Sequence, residues 1–114
     1  PRYDIVMQYL DLDSMLQEAD LVITAEGCID FQTPRGKIPV EVAQRAKRYQ
    51  LPVIALAGTI GKDADINYEH GIDSYASILE SPCSLHDAIA DAANLITNEA
   101  ERIMRFIMVG QALS

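Results

Sequence analysis

Two short apolar runs stand out along the chain, Leu21-Val22-Ile23-Thr24 and Val53-Ile54-Ala55-Leu56-Ala57. Neither alternates with polar residues, the pattern of strands covered on both faces and so of a parallel sheet. Asp4-Ile5-Val6-Met7 and Ser74-Tyr75-Ala76-Ser77-Ile78-Leu79 are weaker runs predicted to flank them, giving four strands. The stretches between carry helical periodicity. From Asp11 to Ala19, Leu12, Leu16 and Ala19 form an apolar face, with Ser14 and Gln17 as a capping box. From Ile38 to Gln50, Val42, Ala46 and Tyr49 recur at helical spacing; Pro39 falls in the first turn, where its missing N–H is harmless, and Leu51-Pro52 stops the helix. A shorter helix, about Asp63 to His70, ends at Gly71, a residue suited to a left-handed position. The longest opens at Ser84, with Asp87 three residues on as a capping-box variant, and carries Leu85, Ile89, Ala92, Ile96, Ile103 and Ile107 along one side until Gly110. Strands and helices in this order read as crossover units, which predicts a three-layer α/β fold around a doubly wound, mostly parallel sheet.

Length narrows the picture: 114 residues suit one domain or part of one. The chain enters a strand-like run almost directly after Pro1, as expected of a segment cut from a longer protein. Apolar residues at 49% and charged residues at 23% are ordinary for a packed globular chain and argue against disorder. A net charge of −8 offers no basic stripe for a phosphate backbone, so nucleic acid is not an expected partner. Cys28 and Cys83 match neither a zinc pattern nor a dense disulfide framework, and reduced thiols in a cytoplasm are the simplest reading. No apolar run reaches the roughly 18 to 20 residues that span a bilayer, so no membrane partner is expected.

In open α/β sheets ligands sit beyond the carboxyl ends of the strands. The loop predicted after Thr24 is the richest. It offers carboxylates at Glu26 and Asp30, hydrogen-bonding groups at Gln32 and Thr33, and Gly27 and Gly36 for close backbone approach. Lys37 and the helix start at Ile38 add positive charge and unpaired N–H groups. Phosphoryl transfer uses such parts: a carboxylate to take a hydroxyl proton or hold Mg²⁺, and a cation to offset charge on the transferring phosphate. The same residues read equally as a solvated turn. Elsewhere, Gly58-Thr59-Ile60-Gly61-Lys62 follows a strand but is not a P-loop, because Asp63 holds the Ser/Thr position and Leu56 that of the first Gly. His70 and His86 read as structural or solvated, and Asp63, Asp65 and Glu69 as a solvated acidic face. Met104 and Met108, four apart, read as core or interface filler.

Glu-Gly-X-Ile-Asp-X-Gln-Thr-X-X-Gly-Lys-X-Pro, from Glu26 to Pro39, resembles a signature of the ATP-dependent glycerate kinases. Val53 to Gly58, His70-Gly71-Ile72-Asp73 and Pro82-Cys83-Ser84-Leu85 are similar to later family segments in the same order. The resemblance implies a protein about three times this length with two α/β domains, residues 1–114 forming the C-terminal part of the flavodoxin-like one, and an active-site cleft between the two. It implies phosphorylation of D-glycerate with ATP and Mg²⁺, by a segment inactive without the rest of its parent chain. Oligomeric state is left open. Carried onto this sequence, it makes Asp30 the first choice for general base or metal-linked carboxylate and Glu26 the second. Lys37 would bind the substrate carboxylate or a phosphate. Gln32 and Thr33, with Gly27 and Gly36, would hold the substrate, and Gly58 and Thr59 would lie near nucleotide.

Two positions depart from the family pattern: Ala25 stands where Gly is usual, and Cys28 where Arg is usual. Cys cannot imitate a planar five-donor cation, and its acidic neighbours disfavour a reactive thiolate. A different class of reading is a non-catalytic module that binds an acidic metabolite or a partner chain. A receiver-like signalling domain also fits the fold, but Asp30 is predicted to lie too far beyond Thr24 to be a strand-end phosphoacceptor. With Cys28 placed in an exposed loop, restoring arginine in the full-length parent (Cys28→Arg) is expected to change KM for glycerate more than melting temperature. Steady-state kinetics and thermal unfolding of that variant check the expectation.

Overall fold

The computed structural model describes residues 11–35 and 38–114; the expected strand Asp4–Met7, together with Gly36 and Lys37, lies outside the described residues. The described chain runs α1 (Leu12–Gln17), β1 (Val22–Ile29), α2 (Ile38–Lys47), β2 (Val53–Ile60), a 3₁₀ helix (Ala64–His70), β3 (Ser74–Ser77), α3 (Leu85–Ala90) and α4 (Ala92–Ala112). The three strands form one sheet in the order β1-β2-β3, parallel throughout. Val22 pairs with Val53 and Ile29 with Ile60, and Ile54 to Ala57 pair with Ser74 to Ser77.

Both long strands outrun their apolar cores. β1 continues past Thr24 through Glu26, Gly27 and Cys28, and β2 past Ala57 through Gly58 and Thr59. Glycine and polar residues end strands in isolation; here each strand's backbone groups are already paired by the other, so the ladder extends through them. β3 is shorter than its run, stopping at Ser77, whose hydroxyl turns back to accept from the Leu79 N–H at 3.1 Å.

One face of the sheet is covered by α1, α2 and the 3₁₀ helix. Val53, Ala55 and Ala57 from β2 pack there with Leu16, Val40, Ala43, Ala46, Leu51, Ala64 and Ile72. Full burial of each Val, Ile or Leu contributes about 1.5–3 kcal/mol. The buried face of α2 is Pro39, Val40, Ala43 and Ala46; of the expected face, Ala46 is buried and Tyr49, just past the helix end, packs half-buried against the same core, while Val42 lies outside it. Alanine wins because it lets the helix backbone approach the sheet. Gly71 shows the same closeness: its φ is +98°, and a Cβ on it would lie 3.4 Å from Ala43. The opposite face holds Leu56, Ile78 and Ile103, flanked by Ile54, Ala76, Leu95 and Ile107.

Three local expectations need correction. Ser14 and Gln17 form no capping box, because α1 has already begun at Leu12 after Asp11 in a left-handed conformation. The last helix is two: Ser84 does cap α3, accepting from the Asp87 N–H at 3.1 Å, but Asp91 at φ −110°, ψ 16° separates α3 from α4. The break shifts the helical phase, so Leu85, Ile89 and Ile96 are exposed while Leu95 joins Ile103 and Ile107 against the sheet. Met104 and Met108 lie exposed and outside either core cluster.

Asp73 fastens the amino ends of β2 and β3 to the end of α2. Its N–H donates to the Val53 carbonyl, and its carboxylate accepts from the Val53 N–H at 2.8 Å and from the Lys47 ammonium, which also donates to Leu51 O. Desolvation raises the Asp73 pKa, but the Lys47 and Val53 donors outweigh it and hold the group below its ordinary 3.8. A depressed folded pKa adds stability that is complete above the unfolded value and is lost as pH falls through the folded one. Asp73→Asn is therefore expected to flatten the acid limb of stability below about pH 4. Urea-unfolding midpoints measured from pH 7 down to pH 2 check it; since the side chain is half exposed, the change will be small.

Candidate active site at the carboxyl ends of β1 and β2

Where β1 and β2 end, their loops remain stitched together. The Gly61 N–H donates to Ile29 O at 2.7 Å and the Phe31 N–H to Lys62 O at 3.0 Å, so the two chains leave the sheet side by side. Asp30 is the first residue beyond β1, closer to the strand end than the sequence placed it.

Asp30 is tied at both its backbone and its side chain. Its N–H donates to Thr33 Oγ1 at 3.0 Å, and its carbonyl accepts from the Thr33 N–H at 3.3 Å and from Asn67 Nδ2 at 3.0 Å. Carboxylate oxygen Oδ1 accepts from the Gln32 N–H at 2.8 Å, a local turn of the kind aspartate favours. Among the described residues Oδ2 meets only the Cys28 thiol, at a long 3.8 Å. One carboxylate oxygen thus builds the loop, and the other has no nitrogen donor among the described residues.

The remaining sequence-predicted residues divide. Glu26 lies in β1 and accepts from the Gly27 N–H at 3.1 Å. Gln32 contributes its backbone to the turn and is exposed, whereas Thr33 is fully buried with its hydroxyl used to close the turn, so it shapes the loop from beneath. Cys28 is half-buried in β1 opposite Thr59, not in an exposed loop. An arginine there would stand beside Asp30 Oδ2 as well as any substrate. Gly27, Gly58 and Thr59 line a cavity of about 190 Å³ with Leu79, Cys83, Ser84, Leu85 and Ala88. Gly58 is required by contact: a Cβ there would lie 2.9 Å from the Gly27 carbonyl oxygen.

Gly61 and Lys62, which the sequence offered only in a rejected P-loop, and Asn67, which it did not single out, also belong to this edge. A Cβ on Gly61 would lie 2.9 Å from Asp30 Cβ and 3.4 Å from Cys28 Sγ, so only glycine leaves room for the Asp30 side chain. Lys62 is an exposed cation on the loop bonded to Phe31. Asn67 is fully buried, and its amide reaches Asp30 O and Ala64 O. The available signal was its spacing: Ala64 and Asn67, three apart, share a face of a 3₁₀ turn, which places a polar residue on the apolar side.

The family model described as the glycerate kinase family matches residues 1–108. This chain belongs to the glycerate kinase family. It is 44% identical to the glycerate kinase of Bacillus subtilis (strain 168) over 96% of its own length and 29% of that protein. Glycerate 2-kinase of Escherichia coli (strain K12) is 37% identical, with 94% and 28% covered. A crystal structure of a protein assigned as glycerate kinase 2 from Salmonella typhimurium LT2 superimposes with a TM-score of 0.69 at 40% identity, covering 95% of this chain and 27% of that one. The chain therefore spans less than a third of the length of these glycerate kinases.

The two strand glycines separate by what surrounds them. Gly58→Ala is expected to destabilise the protein by about 1–3 kcal/mol, because the added methyl meets backbone. Gly27→Ala, with nothing within 4 Å of the new Cβ, is expected to stay within about 0.5 kcal/mol. Urea denaturation of the two variants checks the contrast.

Proposed function

We propose that this chain contributes the Asp30 loop to the active site of an enzyme that phosphorylates D-glycerate with ATP, the rest of the cleft coming from the remainder of the parent chain. The observation that carries the reading is the division of labour within Asp30. Oδ1 is consumed by the Gln32 N–H, while among the described residues Oδ2 keeps only a weak thiol contact at 3.8 Å. A carboxylate held rigidly by one oxygen and left free at the other is suited to accept a proton from a positioned hydroxyl. The family membership supplies the substrate class, and the name glycerate 2-kinase of the Escherichia coli relative makes the 2-hydroxyl the acceptor to test first.

The cavity beside Gly27, Gly58 and Thr59 supports a small ligand. Its roughly 190 Å³ falls below the ~300–1,000 Å³ of drug-sized sites, enough for a small organic acid or a phosphate group but not a whole nucleotide. Lys37 and the start of α2 would neutralise the substrate carboxylate or a phosphate, with Gly36 allowing close approach, and Gln32 would orient the substrate. Thr33 would act by holding Asp30. Asp30 Oδ2 would be a single carboxylate ligand for Mg²⁺, with Glu26 the second choice, since Mg²⁺ in phosphoryl-transfer sites is commonly bound by one or two carboxylates together with phosphates and water. When bound, it would offset charge on the phosphates.

The reading predicts a split between two variants of the full-length parent. Asp30→Asn is expected to lower kcat by about 10²–10⁴, and Lys37→Ala mainly to raise KM. Parental kcat and KM in both would leave the loop a structural turn. The 114-residue chain, supplied with ATP, Mg²⁺ and glycerate, is expected to show no turnover, because positioning by the missing half supplies much of the rate. Retained binding of glycerate with no turnover in the full-length parent would favour the non-catalytic module instead.

A further inference from the structure

We propose that Asn67 is a positioning residue for the Asp30 carboxylate, acting across the gap between the β1 and β2 loops through the Asp30 carbonyl. The proposal rests on Asp30 being the group that works on the substrate hydroxyl.

Asn67 sits on the 3₁₀ helix, 37 residues from Asp30 in sequence, with no exposed surface. Both of its donors are spent on carbonyls: Asp30 O at 3.0 Å and Ala64 O at 2.9 Å. Both partners being acceptors, the orientation of the amide is fixed with Nδ2 toward them. Its Oδ1 is buried with no hydrogen-bond partner among the described residues. A buried orphan acceptor opposes folding, so the side chain is held there by its donors rather than by its acceptor. Those donors join the first residue after β1 to the first turn after β2.

The consequence for Asp30 follows from its other contacts. Its N–H is fixed by Thr33 Oγ1, its Oδ1 by the Gln32 N–H, and its Cβ rests over Gly61. Thr33 and Gln32 belong to the same turn and move with it. Phe31 N–H to Lys62 O holds the other side of the same peptide unit, and Gly61 N–H to Ile29 O ties the peptide before it. Asn67 adds the side-chain hold on the carbonyl side of that peptide, and the direction of Oδ2 depends on that peptide. Without it the peptide keeps its backbone tie to Lys62 O alone and can tilt about it, and a shift of about 1 Å at a reacting group is enough to lower a rate by about 10².

A purely structural asparagine would lower activity wherever it is removed; a positioning one matters only while Asp30 is present. The test is a double-mutant cycle in the full-length parent, with Asp30→Asn, Asn67→Ala and the pair together, read as kcat and KM for glycerate. The expected result is a fall in kcat of about 10- to 100-fold for Asn67→Ala, little change in KM, and no further fall when it is added to Asp30→Asn. Should Asn67→Ala fail to fold, Asn67→Ser, which keeps one donor, runs the same cycle. It is expected to recover part of the loss, provided its circular dichroism matches the parent. Additive losses in the two backgrounds, or parental kcat in Asn67→Ala, would overturn the proposal while leaving Asp30 in place. Parental kcat in Asp30→Asn alone would instead remove the functional reading beneath it.

Discussion

Parallel pairing of β1 with β2 decides where everything else in this chain can lie. From Val22 opposite Val53 to Ile29 opposite Ile60 the two backbones run together, close enough that Gly58 has no room for a side chain over the Gly27 carbonyl. Toward their carboxyl ends both strands carry polar residues and glycine, Glu26 to Cys28 and Gly58 to Thr59, before closing on Ile29, fully buried, and Ile60. The ladder there is held by backbone hydrogen bonds and by the contacts that continue beyond it, Gly61 to Ile29 and Phe31 to Lys62. A sheet whose central strands end in step delivers both loops to one edge, where an α/β protein places its ligands.

That edge uses aspartate in a divided way. Asp30 shapes its own turn through one carboxylate oxygen and both backbone groups, and a second element of the fold, through Asn67, grips its carbonyl. The other carboxylate oxygen has no nitrogen donor among the described residues. Rigidity at the backbone and availability at one atom are what general acid-base work requires, since a rotating carboxylate loses the geometry that makes proton transfer fast. The amino edge of the sheet is anchored independently, by Asp73 with Lys47 and Val53.

The outer sides of α3 and α4 carry exposed apolar side chains. Leu85, Ile89, Phe106, Val109 and Leu113 face outward, while Ile103 alone among the α4 residues is buried against the sheet. Relatives of this family carry more than twice as much additional chain as this segment contains. Tyr68 and Tyr75, stacked at 5.2 Å, bind the 3₁₀ helix to β3 within the segment itself. No helix among the described residues is long and apolar enough to cross a membrane.

The amino-acid sequence alone determined the α/β class, the parallel character of the central strands, the stop at Gly71, the Ser84 cap and the family signature around Asp30, because each rests on local pattern or on residues adjacent in the chain. It misplaced the strand ends, put Cys28 in a loop, joined α3 to α4, and missed Val40 and Ala43 on the buried face of α2. Those features depend on partners far away in sequence: a strand extends through glycine and polar residues when a neighbour pairs with it, and a helix buries alanine when a sheet is close. Tertiary structure alone decided which oxygen of Asp30 lacks a nitrogen donor among the described residues, since that follows from Cys28, Gln32, Gly61 and Asn67 meeting at one point, and from Thr33 being buried beneath it. Periodicity reports which side of an element is apolar; it carries no record of which loop will lie against which, and the chemistry of this site is set by that contact.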